Sequence, residues 1–392
     1  MYRSEIKNTI VLLLLCLLGG CIDPYDPGDL KFENMLFIEA SITDDPNLTP
    51  TVRFTYAYPF SENNYEGEPL VNTLGATIYV ENTKGSRSYF TEGSSWGWGP
   101  PYYYLDDPAF VLEEGESYML YIETTDGHIF ESQFEKYMPS PPVEEITYRY
   151  DKWEEGLSGE QEEGYRFYVS SSATDEEPLY LRWIPDATWS FLVPFRASHY
   201  WDGQSLIDST NDDRRFCYDS EDIEGIFTGT SEGLEVNRVS EIALHGVSSY
   251  GYRLQTKYSL HVRQMRISQS AYRFWKDLNA LLYESGGLYE TIPFRMTGNI
   301  SCVSHDNISV AGIFELAGVS EARVFVDRPT EFNVTTQRCI LDTVGTPSMR
   351  WNNLPAGSWI MEGDPGVFFT GPLTCFDCTA RGGYTSTPSY WE

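Results

Sequence analysis

The sequence predicts a mainly β protein. An N-terminal immunoglobulin-like β-sandwich is expected over residues 35–138, and a larger β-rich domain with one packed α-helix near 268–285 over residues 139–392. Three observations lead there. Short runs of alternating apolar and polar residues recur between turn signals in the first third of the chain. Pro139, Pro141 and Pro142 fall within four residues, where neither a helix nor a central strand tolerates them, and so mark a boundary. One segment alone carries a convincing helical period.

The elements follow in order. Met35 to Thr43 is an apolar-rich strand, and Thr51 to Tyr58 the next. Ala76, Ile78 and Val80 alternate with Thr77 and Tyr79, the period of a half-buried strand. Residues 82–86 (NTKGS) form a turn, and Ser88 to Thr91 returns. Tyr118, Leu120 and Ile122 alternate again, and Asp126-Gly127 signals a type I′ hairpin that brings back His128 to Phe134. Six or seven such strands without a crossover helix fit a sandwich.

Past the prolines, residues 151–164 (DKWEEGLSGEQEEG) are acidic and contain glycine, which predicts an exposed loop. Tyr165 to Ser170, Leu179 to Ile184 and Trp189 to Phe195 carry β patterns. Arg253 to Ile267 keeps its alternation only in part, which predicts a strand with a bulge. In the helix, Ser268 or Ser270 is the N-cap. Tyr272, Trp275, Leu278 and Leu282 line the apolar stripe, Phe274 and Leu281 widen it, and Gly286-Gly287 ends it. The helix is expected to cover a β core; the alternative is a partner-binding helix. Ser309 to Phe314 and Ala322 to Val326 are further strands, and the chain has neither internal repeats nor low-complexity tracts.

Composition narrows the function. The chain has 392 residues, with 27 Lys+Arg against 58 Asp+Glu and a formal charge of −31. That balance opposes general nucleic-acid binding, which needs a basic face, and a polybasic grip on anionic lipid. With 15% aromatic and 41% hydrophobic residues, the acidity does not imply disorder. The length suits two or three domains and a substantial core.

Residues 1–20 read as a signal peptide. Arg3 and Lys7 precede a ten-residue apolar run, Thr9 to Leu18, too short to span a bilayer, which takes about 20 residues. Leu18-Gly19-Gly20-Cys21 follows and resembles a bacterial lipobox, in which Cys21 receives lipid and becomes the mature N-terminus. The alternative is an ordinary secretory signal with an incidental cysteine. Residues 21–34 then form an acidic tether rich in Asp and Pro. The tether is similar to the surface-export signals of Bacteroidetes lipoproteins, although Cys21 is followed directly by neither Lys nor Ser. The expected location is therefore the outer membrane, lipid-anchored and facing the cell surface. No other stretch approaches membrane-spanning length.

Cys217, Cys302, Cys339, Cys375 and Cys378 remain for an oxidising compartment, an odd number that leaves one thiol free or paired between chains. The expected pairs are Cys339 with Cys375 or Cys378, and secondarily Cys217 with Cys302; spacing alone decides no connectivity. Cys375-Phe-Asp-Cys378 lacks the helical context of a redox motif, and no second ligand pair suits zinc.

Other chemistry is sparse. His128, His199, His245, His261 and His305 are scattered, and no phosphate, dinucleotide or paired-histidine metal pattern occurs. Residues 229–233 (GTSEG) match a nucleophile elbow on paper, but acidic flanks predict a loop. Asp212, Asp213, Asp219, Glu221 and Asp222 read as a solvated charge run, with calcium binding the alternative. No catalytic residue, metal or cofactor is expected. Residues 96–104 (WGWGPPYYY) are the most unusual local feature. Trp96, Trp98, Tyr102, Tyr103 and Tyr104 are candidates for binding a partner or ligand; the alternative is a loop folded back on the sandwich.

Taken together, these residues resemble a family of Bacteroidetes lipoproteins, domain of unknown function 4249. The resemblance rests on the lipobox, Phe37 to Thr43 (FIEASIT), the hairpin Glu114 to Ser132, and Gln264 with Ser268 to Trp275. It continues through Pro293 to Ile300, Gly312 to Phe314, Cys375, Cys378, Gly382 and Gly383, and the ending Pro388 to Trp391. It implies a setting, since such proteins accompany SusC-like TonB-dependent transporters, and carries no catalytic residues over. The expected function is a non-catalytic outer-membrane lipoprotein that helps a TonB-dependent transporter capture its cargo. The alternatives are a stand-alone surface adhesin or a glycan- or peptide-binding lipoprotein, and a hydrolase.

Overall fold

The computed structural model describes residues 35–57, 71, 73–93, 102–155, 160–284, 298–305, 308, 310–345, 354–364 and 366–391. The signal, Cys21, the tether, Trp96 and Trp98 lie outside the described residues. The chain is mainly β, with one α-helix of several turns among the described residues. That helix is not long and apolar enough to cross a membrane.

The N-terminal sandwich has two layers. Met35–Thr43, Thr51–Ala57 and Tyr102–Leu105 make one; Thr77–Asn82, Ser117–Glu123, Ile129–Ser132 and Ile300–Cys302 make the other. Arg87–Gly93 passes between them. Its first residues pair with Thr77–Asn82 and its last with Tyr102–Leu105. The alternating positions that signal these strands meet inside: Leu36, Ile38, Phe54, Ile78, Leu120, Ile122 and Phe130 share one core. Ile300, Phe314 and Leu316 join that core, so the sandwich expected over residues 35–138 also takes in a later part of the chain. The layers meet where Asn299 N–H donates to the Gly312 carbonyl at 3.0 Å. A Cβ on the neighbouring Gly298 would lie 1.5 Å from that oxygen, so only glycine fits.

The hairpin after Ser117–Glu123 differs in turn type. A type I′ turn needs positive φ at both central residues. Gly127 has φ +88°, but Asp126 is outside the positive region, so the tip is a type I turn closed by a left-handed glycine.

Val310–Asp327 connects the two halves of the molecule. It was expected as two strands but is one of 18 residues. Its first part pairs in parallel with Met35–Thr43. Its second part pairs antiparallel with Lys257–Arg266. A single 14-stranded sheet therefore runs from the N-terminal sandwich into the second body.

There, Tyr180–Leu192 lies between Lys257–Arg266 on one side and Phe216–Asp222 with Phe227–Thr230 on the other. This too was expected as two strands. Pro185 does not break it, because its backbone faces the gap between the two short neighbours, where its carbonyl accepts from Ile223 N–H. The strand Lys257–Arg266 shows no register shift, which corrects the expected bulge. Its alternation fails because Tyr258, Ser259, Leu260, Gln264, Met265 and Arg266 are all buried, as in a strand covered on both faces.

A three-stranded sheet of Val143–Glu155, Glu160–Ser172 and Arg238–Ser248 packs across this one over Phe167, Val169, Leu181, Trp183, Tyr258 and Leu260. The loop expected at 151–164 is mostly strand. Asp151 to Glu155 pairs with Glu160 to Gly164, leaving residues 156–159 outside the description. A small five-stranded sheet of His199–Trp201, Leu206–Asp208, Asp342–Gly345, Ser358–Glu362 and Phe368–Thr370 completes the C-terminal region.

The helix Gln269–Asn279 starts at Ser268, whose side chain accepts from Ala271 N–H, and continues as a π turn, Ala280–Glu284. Ala271, Phe274 and Trp275 bury against Met265, Ile313 and Ala317, so it covers the junction of the two bodies.

Candidate functional site

The described residues of the aromatic segment, Tyr102 to Tyr104, divide between surface and core. Tyr102–Leu105 is a strand, and Tyr103, 1% exposed, belongs to the sandwich core. Its hydroxyl donates to the Thr73 carbonyl at 2.6 Å and accepts from Ala76 N–H at 2.9 Å; burial pushes its pKa up to about 12. Tyr103 is thereby corrected from binding candidate to core residue. Tyr102 is 39% exposed and Tyr104 half-buried.

Cysteine pairing resolves one expectation and corrects another. Cys339 bonds Cys375, and Cys217 bonds Cys378 rather than Cys302. Cys302 is free because it lies on Ile300–Cys302, at the outer end of the N-terminal sandwich's sheet, whereas Cys217 sits on Phe216–Asp222 at the opposite end. The two cysteines of Cys375-Phe-Asp-Cys378 thus join different partners.

The GTSEG segment, expected as a loop, begins in the strand Phe227–Thr230, and its serine is engaged by the chain itself. Ser231 is buried, its hydroxyl donates to Asn237 at 2.5 Å, and it accepts from Leu179 N–H at 2.8 Å.

The residues that carry the family resemblance meet at the junction instead. Gln264 is fully buried. Its carbonyl accepts from Trp183 Nε1 at 2.9 Å, and its amide donates to the Pro141 carbonyl at 2.8 Å and to the Ser140 and Ser320 hydroxyls at 3.2 Å. Trp275 Nε1 donates to Glu315 at 2.5 Å, beneath Arg182, whose guanidinium lies 3.7 Å from the Trp275 ring centre and pairs with the same carboxylate. Asn299 donates to Glu135 at 2.7 Å and exchanges hydrogen bonds with the Phe314 backbone. Every polar group in this set has a partner, as burial demands. The motif is architectural: it ties linker, helix and both sheets together.

The open site lies elsewhere. Phe216–Asp222 ends the large sheet and Arg238–Ser248 ends the three-stranded sheet. Between these edges is a cavity of about 520 Å³. Trp153 and Glu162, cross-strand neighbours, form one wall. His245, Gly246 and Ser248 form the next, and Glu221, Asp222, Ile223 and Glu224 face them; Arg253 and Tyr250 complete it. A register shift opposite Phe167 and Tyr168 inserts Leu244 just before His245, a bulge that re-aims the imidazole.

The polar groups are unequally satisfied. Arg253 grips Glu221 through two hydrogen bonds, the longer 2.8 Å, and its guanidinium lies 5.1 Å from the Trp189 ring centre. Glu162 accepts from the Ser248 hydroxyl. Asp222 and Glu224 are exposed, with no ion pair among the described residues. His245 Nε2 is buried without a hydrogen-bond partner, and burial holds the imidazole pKa down at about 4, against a weaker opposing pull from Glu221. The ring is therefore neutral at physiological pH. The hydroxyl of Tyr258, 0% exposed, also has no partner and lies in the field of the same Glu221–Arg253 pair. Burial also raises the pKa of nearby Asp219.

From the sequence, Glu221 and Asp222 read as part of a solvated charge run and His245 as one scattered histidine. Trp153 and Glu162 fall in the segment expected as an exposed loop, and Ser248 and Tyr250 carry no signal, because five chain segments supply the walls and only strand pairing brings them together. Among the described residues, no group of three or more His, Cys, Asp or Glu is arranged to hold a metal ion.

A profile of the family described as Domain of unknown function (DUF4249) matches residues 22–323. That span includes the N-terminal sandwich, the junction and the whole cavity lining. No curated protein matches the sequence.

Proposed function

From the premise that the chain belongs to the DUF4249 family, we propose a lipid-anchored, non-catalytic binding protein of the outer membrane, an accessory or cargo-capture partner of a TonB-dependent transporter. The observation that carries this reading is the pair of disulfides, Cys217–Cys378 and Cys339–Cys375. Such bonds persist in oxidising compartments, in keeping with an export signal ending at Cys21. Lipid on Cys21 confines the body to the membrane that holds the transporter, raising effective concentration without new contacts. The cavity between the sheet edges offers room for a small cargo group, and the chain that includes Trp96 and Trp98 is the candidate docking segment.

The experiment is co-purification from detergent-solubilised outer membranes, using the native protein, a Cys21→Ala variant and a Trp96→Ala/Trp98→Ala variant. The native protein is expected in the membrane fraction with a TonB-dependent transporter in stoichiometric amount, and the Cys21→Ala variant in the soluble fraction. Recovery without any transporter would overturn the partnership. Unchanged recovery of the tryptophan variant would remove that segment from the interface.

A further inference from the structure

We propose that His128 and His305 form a two-histidine site for a divalent transition-metal ion, copper(II) foremost, at the outer end of the N-terminal sandwich. Both looked scattered in the sequence. His128 directly precedes the strand Ile129–Ser132, and His305 lies just past Ile300–Cys302, the strand paired with it. That pairing brings the two rings together, with centres 4.6 Å apart and planes tilted by 47°.

Spacing is the first argument. Two imidazoles bound side by side to one ion, each nitrogen about 2.0–2.1 Å from the metal, hold their ring centres roughly 4.5–5 Å apart. The observed separation falls in that range.

The second is orientation. A metal-binding imidazole characteristically gives its other ring nitrogen to an oxygen acceptor, which fixes the tautomer. His128 Nδ1 lies 2.9 Å from the Asp126 carboxylate, and the same oxygen accepts from the Thr124 hydroxyl at 2.5 Å. A carboxylate only accepts, so Nδ1 of the neutral ring carries the proton and Nε2 keeps its lone pair. His305 Nδ1 lies 2.8 Å from the Ser304 hydroxyl, which accepts from Ile129 N–H at 2.8 Å and lies 3.6 Å from Cys302 Sγ. With the Ser304 proton directed at sulfur, its oxygen accepts from both nitrogens, and His305 Nε2 is also left with a lone pair.

The third is availability. Neither Nε2 has a hydrogen-bond partner among the described residues. His305 is exposed and His128 half-buried, so an ion and its waters have access. The site supplies two protein ligands, short of the three or more of a closed metal centre, and water fills the remaining positions. Imidazole suits copper, nickel and zinc, with copper(II) bound most tightly, whereas calcium and magnesium prefer oxygen.

This inference goes beyond the transporter reading and does not rest on it. Its test uses the full-length, untagged lipoprotein in neutral detergent, stripped of metal by a chelator and titrated calorimetrically with copper(II), zinc(II) and calcium(II). Every sample carries Cys302→Ser, so that no thiol reduces or binds copper while a hydroxyl still accepts from Ser304. One copper(II) per chain is expected above the weaker background of surface carboxylates, with zinc(II) bound less tightly. Electron paramagnetic resonance of the copper(II) form should show coupling to two imidazole nitrogens. His128→Gln and His305→Gln should each weaken copper(II) binding about tenfold or more and leave the calcium(II) titration unchanged. His199→Gln, on the small C-terminal sheet, is the matched control and should bind as its parent does. Near-UV circular dichroism checks that each variant is folded. No copper(II) bound at one equivalent, a spectrum without two-nitrogen coupling, or binding by His128→Gln or His305→Gln as tight as the parent's would overturn the proposal.

Discussion

His245 links the cavity to acid stability. Its folded pKa is about 4, below the ordinary 6.5, so between those values the unfolded chain binds more protons than the folded one. Its contribution is full above pH 6.5 and is lost as pH falls toward 4, an effect of about 3–4 kcal/mol at most. The charged groups that act on the ring are Glu221 and Arg253, and Glu162, Asp222 and Glu224 line the same cavity. Urea unfolding at pH 7 and pH 4.5 should show a larger loss for the parent than for His245→Gln; parallel losses would mean another group controls this range. Gln264 tests the junction. Removing its amide orphans Trp183 Nε1, while the Pro141 carbonyl keeps the Ser320 hydroxyl, so Gln264→Ala should cost about 1–3 kcal/mol, measured by the same method. The resemblance singled out Gln264, but its structural role depends on four partners distant in sequence.

Among the elements, alternation located Ser117–Glu123, where one face meets solvent. It misled where both faces are covered, as in Lys257–Arg266, and in the hairpin 143–172, whose acidic tip looks like a loop although its backbone is paired. Local capping chemistry was more dependable: Ser268, one of the two serines the sequence offers, caps the helix. The disulfides belong here as well. Cys339–Cys375 closes a loop of 36 residues onto the small sheet. Replacing both cysteines by alanine should lower stability by about 2–4 kcal/mol. Guanidinium unfolding followed by tryptophan fluorescence measures it, and a midpoint unchanged from the parent would show that packing around Phe376 holds the region alone.

For the molecule as a whole, thiol chemistry and location test the anchor together. Cys302 is the free cysteine among the described residues, so denatured mature protein should titrate one thiol if Cys21 carries lipid and two if it does not. Replacing Cys21 by alanine should also move the protein from membrane to soluble fraction. Amino-acid order alone was enough to specify a mainly β body, one capped helix and an acidic character, because these depend on neighbours within a few residues or on bulk composition. Folding in three dimensions was needed to choose Cys378 for Cys217, to bury Tyr103, to run Val310–Asp327 through both bodies, and to gather Trp153, Glu162, Asp222, His245 and Arg253 around one cavity. Those outcomes depend on which strands become neighbours, and pairing across more than a hundred residues leaves no trace in local periodicity.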